Sequence, residues 1–208
     1  MYEISKYSLI IGVGNVGLFL YSRIGVLFLG HYNYIEQTGY FEITNKILTL
    51  ILIPFTILSQ VIAPDITKYF AQKKYDIIRN KFVKYLCISL VLSILIVAIL
   101  FFGYKYLLNS FLPQYSTLEM NNIVRLMMIV YFTQLLNGII PTGFVTSTGH
   151  AKLSTIFLLA FGALNLILNY LFINQYGFIG VIYALIVTKC TADLLFIYTY
   201  HRILQRLR

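Results

Sequence analysis

Charge is scarce in this chain. Of 208 residues, 16 are Lys or Arg and seven are Asp or Glu, 11% in all, where a soluble domain carries about a quarter. So few charges cannot cover a water-facing surface. Tryptophan is absent, and the two cysteines, Cys87 and Cys190, lack CxxC spacing and a partner histidine, which argues against a disulfide framework or a zinc site. Catalytic signatures are missing as well. There is no G-x-S-x-G elbow, no H-E-x-x-H and no Walker loop, and His31, His150 and His201 are scattered. No active site, cofactor or metal is expected, so the chain does not read as an enzyme. Gly12-x-Gly14-x-x-Gly17 copies the letters of the dinucleotide fingerprint, but it lies within an apolar run with no preceding strand, where the physics of that motif does not apply.

What is present is hydrocarbon. The chain is 59% hydrophobic with mean hydropathy +0.80, and its apolar residues come in runs of roughly twenty, enough to cross a hydrocarbon core about 30 Å thick. The fold class read from this is all-α, a polytopic membrane helix bundle of about six transmembrane helices, forming a single transmembrane domain over 1–208. The expected spans are 7–30, 39–63, 84–103, 122–147, 151–173 and 178–199, with a basic loop over 64–83. Only Asn174 to Gly177 separates the last two, which demands an antiparallel hairpin. The N-terminal run is too long for a secretory signal and lacks an Ala-x-Ala site, so it reads as an uncleaved first helix.

The formal charge of +9 would raise the question of nucleic acid in a soluble protein. Here the basic residues lie between apolar runs and near their ends, which is a topology signal, and no nucleic-acid partner is expected. Lys68, Lys73, Lys74, Arg79 and Lys81 mark one loop and Arg202, Arg206 and Arg208 the tail, whereas 31–38 has neither Lys nor Arg. Positive-inside counting places the loop, the tail and the N-terminus in the cytoplasm, in a multi-pass protein of the cell membrane. Tyr32, Tyr34, Tyr104, Tyr106, Tyr198 and Tyr200 suit the aromatic belt that meets membrane lipid at the two interfaces.

Ionisable residues within apolar spans are costly and mark candidate pathways. Arg23, Lys46, Arg125 and Lys189 qualify, with Glu42 one turn before Lys46 and Asp193 one turn after Lys189. Two accounts stand side by side. Arg23, Lys46 and Arg125 either snorkel to the headgroups or line a translocation cavity. Lys189 and Asp193 form a structural ion pair or line a polar path. Gln134, Asn137, Asn165 and Asn169 add neutral polar groups, with helix-to-helix hydrogen bonding as the alternative to a cavity role. Pro54 and Pro141 fall inside spans, where the missing N–H and the ring clash kink a helix, and are the hinge candidates. Gly12, Gly14 and Gly17 permit close helix contact. The cationic excess favours an anionic cargo group such as phosphate.

Several stretches resemble one family. Tyr21 to Tyr32 (YSRIGVLFLGHY) is followed by Gly39-Tyr40-Phe41 and Ala63-Pro64-Asp65-Ile66, and later Thr148-Gly149-His150-Ala151-Lys152-Leu153 precedes Asn165-x-x-Leu168-Asn169 and Asn174 to Val181 (NQYGFIGV). In order and spacing these are similar to lipid-linked oligosaccharide flippases of the Wzx type, in the multidrug/oligosaccharidyl-lipid/polysaccharide exporter superfamily. The resemblance spans nearly the whole chain but corresponds to the C-terminal lobe of a two-lobed transporter. It implies export of an undecaprenyl-diphosphate-linked oligosaccharide or polysaccharide precursor, with a lipid-linked glycan as substrate and a second lobe or a homodimer as partner. Arg23 matches a basic or polar motif position. Relatives often carry an acid where this chain has Gly25, a departure from the pattern.

Rival readings come from other classes. A cation-coupled multidrug extruder of the same superfamily would favour acidic cavity residues. The permease of an ATP-driven exporter would need a coupling helix, for which 64–83 is the one place. A membrane polymerase or ligase would need a large outer loop, and an inactive truncated fragment is a further alternative.

Overall fold

In the computed structural model the described residues are 2–207, with side chains described over 16–207; Gly12 and Gly14 fall outside the described side chains. Six long helices follow one another: α1 (Tyr2–His31), α2 (Ile35–Ala71), α3 (Tyr75–Phe111), α4 (Leu118–Asn137), α5 (Ala151–Tyr176) and α6 (Phe178–Arg206). Among the described residues there is no strand. The stretches Ile35–Ala71, Tyr75–Phe111, Leu118–Thr148, Ala151–Tyr176 and Phe178–Arg206 are each long and apolar enough to cross a membrane, and Val16–His31 is a shorter apolar helix.

Two expectations about connections change. The basic stretch 64–83, read as a loop, is helical on both sides of a turn at Gln72, Lys73 and Lys74. Lys and Arg are good helix formers, so charge by itself ends no helix. Buried Ile62 and Ile66 on α2, and Ile78 and Phe82 on α3, continue the four-residue apolar repeat through the charged segment. At 37 residues each, α2 and α3 are about 55 Å long and outreach a hydrocarbon core of about 30 Å. Between α3 and α4 the connection shortens to 112–117, with Pro113–Tyr115 as one 3-10 turn. Thr117 opens α4 by accepting the Met120 N–H at 3.1 Å, which satisfies one orphan donor of the first turn.

The two hinge-candidate prolines behave differently. Pro54 sits inside uninterrupted α2. Pro141 coincides with a break: α4 ends at Asn137, Pro141–Val145 forms a π turn and Thr146–Thr148 a 3-10 turn. Proline has no N–H for the carbonyl four residues back, here that of Asn137, so the regular ladder stops there. The expected 174–177 link contracts to Gly177, whose φ of +63° is the left-handed region that glycine enters without Cβ strain.

Packing runs from α1 to α5, α5 to α6 and α6 to α4, with α3 and α2 against α4 and α2 against the π turn. Small residues set the closest approaches. A Cβ on Gly180 of α6 would stand 2.1 Å from the Phe172 carbonyl oxygen of α5, and one on Gly162 of α5 2.9 Å from the Gly17 oxygen of α1. The apolar core divides in two along the helix axes. One cluster gathers Phe41, Leu48, Met120, Met127 and Val181. The other gathers Phe55, Ile66, Phe82, Phe144 and Tyr200 at the basic end. On α2, α4 and α6 the sequence between the clusters holds Thr49, Gln134, Lys189 and Asp193, so the polar level lies between two greasy ones. Ile99 and Phe102 on α3 are strongly exposed, as lipid-facing side chains are.

Candidate functional site

At that level an open cavity of about 670 Å³ is walled by α1, α2, α4 and α6. Arg23 with Ser22 comes from α1, Gln134 with Tyr131 from α4, and Lys189 from α6. From α2 come Glu42, Asn45, Lys46 and Thr49, a polar stripe at steps of three and four that keeps to one helix face. Three cations and one carboxylate share the space. The carboxylate is committed: Arg23 Nη1 donates to Glu42 Oε1 at 2.9 Å. Lys46 is exposed, and neither it nor Lys189 makes an ion pair among the described residues. Tyr131 donates its hydroxyl to Asn45 Oδ1 at 2.5 Å and so holds α4 to α2 along the cavity wall.

Lys189 and Asp193, expected as a pair one turn apart, turn to different partners. Lys189 Nζ stands 5.5 Å from the centroid of the Tyr21 ring, a cation–π arrangement. Asp193, 7% exposed, accepts the Asn137 side-chain N–H at 2.9 Å on Oδ1. The helical repeat places the two charges on one face but does not choose their contacts, and a neutral amide on α4 meets the carboxyl without burying a second charge beside it. Asp193 faces a separate pocket of about 200 Å³ walled by Tyr21, Pro141, Phe157 and Phe196. Its Oδ2, the Asn137 Oδ1 and the Ser154 Oγ are buried without hydrogen-bond partners among the described residues.

The remaining candidates lie elsewhere. Asn165 and Asn169 are buried in the helix packing and do not line the cavity. Asn169 Nδ2 donates to Asn165 Oδ1 at 2.9 Å, Thr188 of α6 donates to the same oxygen at 3.3 Å, and Asn165 Nδ2 reaches the Tyr21 carbonyl of α1 at 3.3 Å. They stitch three helices, the role that polar side chains take between membrane helices. Arg125 is exposed and lines no part of the cavity. Nine residues separate it from Gln134, about half a turn in helical phase, so the two point to opposite sides of α4. Of the proline candidates, Pro141 walls the Asp193 pocket, and Pro54 lines neither space.

Sequence reasoning passed over Tyr21, Asn45, Thr49 and Tyr131. The α2 stripe at 42, 45, 46 and 49 was the available signal for two of them. Tyr21 and Tyr131 offered none, since an aromatic inside a span reads as packing.

No curated protein matches the sequence. Among solved structures, one described as the "Outward-facing conformation of a multidrug resistance MATE family transporter of the MOP superfamily" is 18% identical with TM-score 0.75. A second, described as "Reverse polarity of binding pocket suggests different function of a MOP superfamily transporter from Pyrococcus furiosus", is 18% identical with TM-score 0.73. Each likeness covers 93% of this chain but 43% of the other, so the chain spans less than half the length of these transporters and shares the fold of one lobe. The family model MatE matches residues 11–171, and on that match the chain belongs to the MatE family of membrane transporters.

Proposed function

We propose that the chain moves an anionic, lipid-linked glycan across the cell membrane, as one half of a two-lobed carrier that alternates access by rocking of its halves. The observation that carries this reading is the charge of the open cavity. Arg23 is already matched by Glu42, which leaves Lys46 and Lys189 as cavity cations that make no ion pair among the described residues. A diphosphate spreads negative charge over several oxygens and would meet both. Such a cavity needs a second wall, since cations and neutral polar groups facing lipid are costly. The second wall is another lobe or a second copy of the chain. On this reading both ends are cytoplasmic, at the end of the bundle where the basic turn of α2 and α3 lies.

A second reading rests on a different observation. Asp193 in a pocket walled by Tyr21, Phe157 and Phe196 offers a carboxylate among aromatic faces, the chemistry that takes a lipophilic organic cation. Under it the chain would be half of a multidrug extruder.

The discriminating experiment is transport with the second half supplied. Lys189→Ala is expected to abolish export of the lipid-linked glycan while membrane insertion stays intact, and Asp193→Asn to leave export working. Normal glycan export by Lys189→Ala, together with loss of cationic-dye efflux in Asp193→Asn, would overturn the first reading in favour of the second.

A further inference from the structure

Glu42 puts a negative charge into a space that otherwise gathers Arg23, Lys46 and Lys189. A carboxylate there weakens the pull of the cavity on any anion, so its presence calls for a role. Its partner is defined: Arg23 Nη1 donates to Glu42 Oε1 at 2.9 Å. Among the described residues this is the only side-chain hydrogen bond or ion pair from α1 to α2. Away from it the two helices are held by other neighbours. Asn165 Nδ2 of α5 reaches the Tyr21 carbonyl of α1, and the Tyr131 hydroxyl of α4 donates to Asn45 of α2.

The pair is open to exchange. It lines the open cavity, with the Arg23 side chain 58% exposed and that of Glu42 22%, and an ion pair with so exposed a partner is weak. One guanidinium nitrogen is engaged; no other Arg23 nitrogen makes a hydrogen bond among the described residues. Phosphate oxygens match that planar fork two at a time, so a phosphate meets more of its donors than Glu42 uses. The displaced carboxylate is not stranded. Lys46 lies one turn along the same face of α2, within reach at the i, i+4 spacing, and an ammonium has three donors, enough for Glu42 and a phosphate oxygen together.

We propose that Glu42 is an exchangeable counter-ion: a phosphate of the cargo takes Arg23 from it on binding, and Glu42 takes Arg23 back as the cargo leaves. The inference rests on the anionic-cargo reading above and adds a release step to it. Filling the cavity opens the α1–α2 link and emptying it closes the link again, so the two equilibria are coupled. Without Glu42, three cations would hold a diphosphate with no internal competitor, in a complex that turns over slowly.

Binding of inorganic diphosphate to the full chain in phosphatidylcholine nanodiscs tests the exchange, using glutamine substitutions that keep side-chain size. Glu42→Gln is expected to tighten binding several-fold. In an Arg23→Gln background the same change is expected to leave the affinity nearly unaltered, because the effect runs through Arg23. In transport with the second half supplied, Glu42→Gln is expected to lower KM and kcat together. The infrared carboxylate band that Glu42→Gln removes is expected to shift when diphosphate is added to the unsubstituted chain. Equal tightening in both backgrounds would show a general loss of repulsion, and an unshifted band would show a pair that stays closed. Either result overturns the exchange and leaves the anionic-cargo reading in place. Diphosphate binding that is undetectable, or untouched by Lys189→Ala, overturns that reading and the exchange with it.

Discussion

Tyr21 stands between the two charges of α6: Lys189 lies 5.5 Å above its ring, and the same ring walls the pocket into which Asp193 points. One aromatic side chain therefore borders both Lys189 of the charged cavity and the largely apolar pocket of Asp193. Tyr21→Leu removes the cation–π partner of Lys189 and the ring beside Asp193 at once. We expect it to lower export strongly, while Tyr21→Phe, which keeps the ring, retains most of it. Transport by the two variants, normalised to membrane-inserted protein, is the measurement.

Asn137 Nδ2 donates to Asp193 Oδ1 at 2.9 Å. Asn137→Leu strands a buried acceptor, and we expect a loss of about 1–3 kcal/mol of stability. The double variant Asn137→Leu/Asp193→Leu should recover most of that loss, because removing both partners is nearly neutral where removing one is not. Denaturant unfolding in micelles, followed by circular dichroism, reads the difference.

Glycine substitutions should separate by position. Gly180→Ala drives a methyl to 2.1 Å from the Phe172 oxygen, an overpacking of backbone worth about 1–3 kcal/mol or more. Gly103→Ala on α3 meets nothing within 4 Å and is expected to stabilise by about 0.5–1 kcal/mol through helix propensity. Thermal unfolding of the two variants should move in opposite directions.

The break after Asn137 depends on a missing N–H. Pro141→Ala restores a donor for the Asn137 carbonyl, so we expect a more regular α4, a higher melting temperature and slower transport. Slower amide exchange at residues 139–145 would report the regularised ladder. Unchanged exchange there would show that the π turn is imposed by packing against α2 and not by the proline.

The helices were legible because runs of about twenty apolar residues have few alternatives in a bilayer, and the tight α5–α6 hairpin because a four-residue gap admits no other arrangement. The extent of α2 and α3 was not legible, since Lys73 and Arg79 signal which side of a membrane they occupy without saying whether the backbone carrying them is helical. In the charged cavity, Arg23, Glu42, Lys46, Gln134 and Lys189 stood out because charge and amide in hydrocarbon are expensive. Arg125, open in sequence to either snorkelling or a cavity role, is exposed and outside the cavity lining, because depth in the membrane does not say which face of the helix a residue presents. Asn165 and Asn169 look the same in sequence whether they face cargo or another helix; in the fold Asn165 reaches the carbonyls of Leu20 and Tyr21 and Asn169 reaches Asn165.

The one-residue link at Gly177 also bears on how the chain enters the bilayer. With no slack between α5 and α6, neither helix can settle while the other waits outside. We expect Lys189 and Asp193 to enter hydrocarbon together with Asn165 and Asn169, the hairpin inserting as one unit, and a spacer inserted at Gly177 to separate the timing of its two halves.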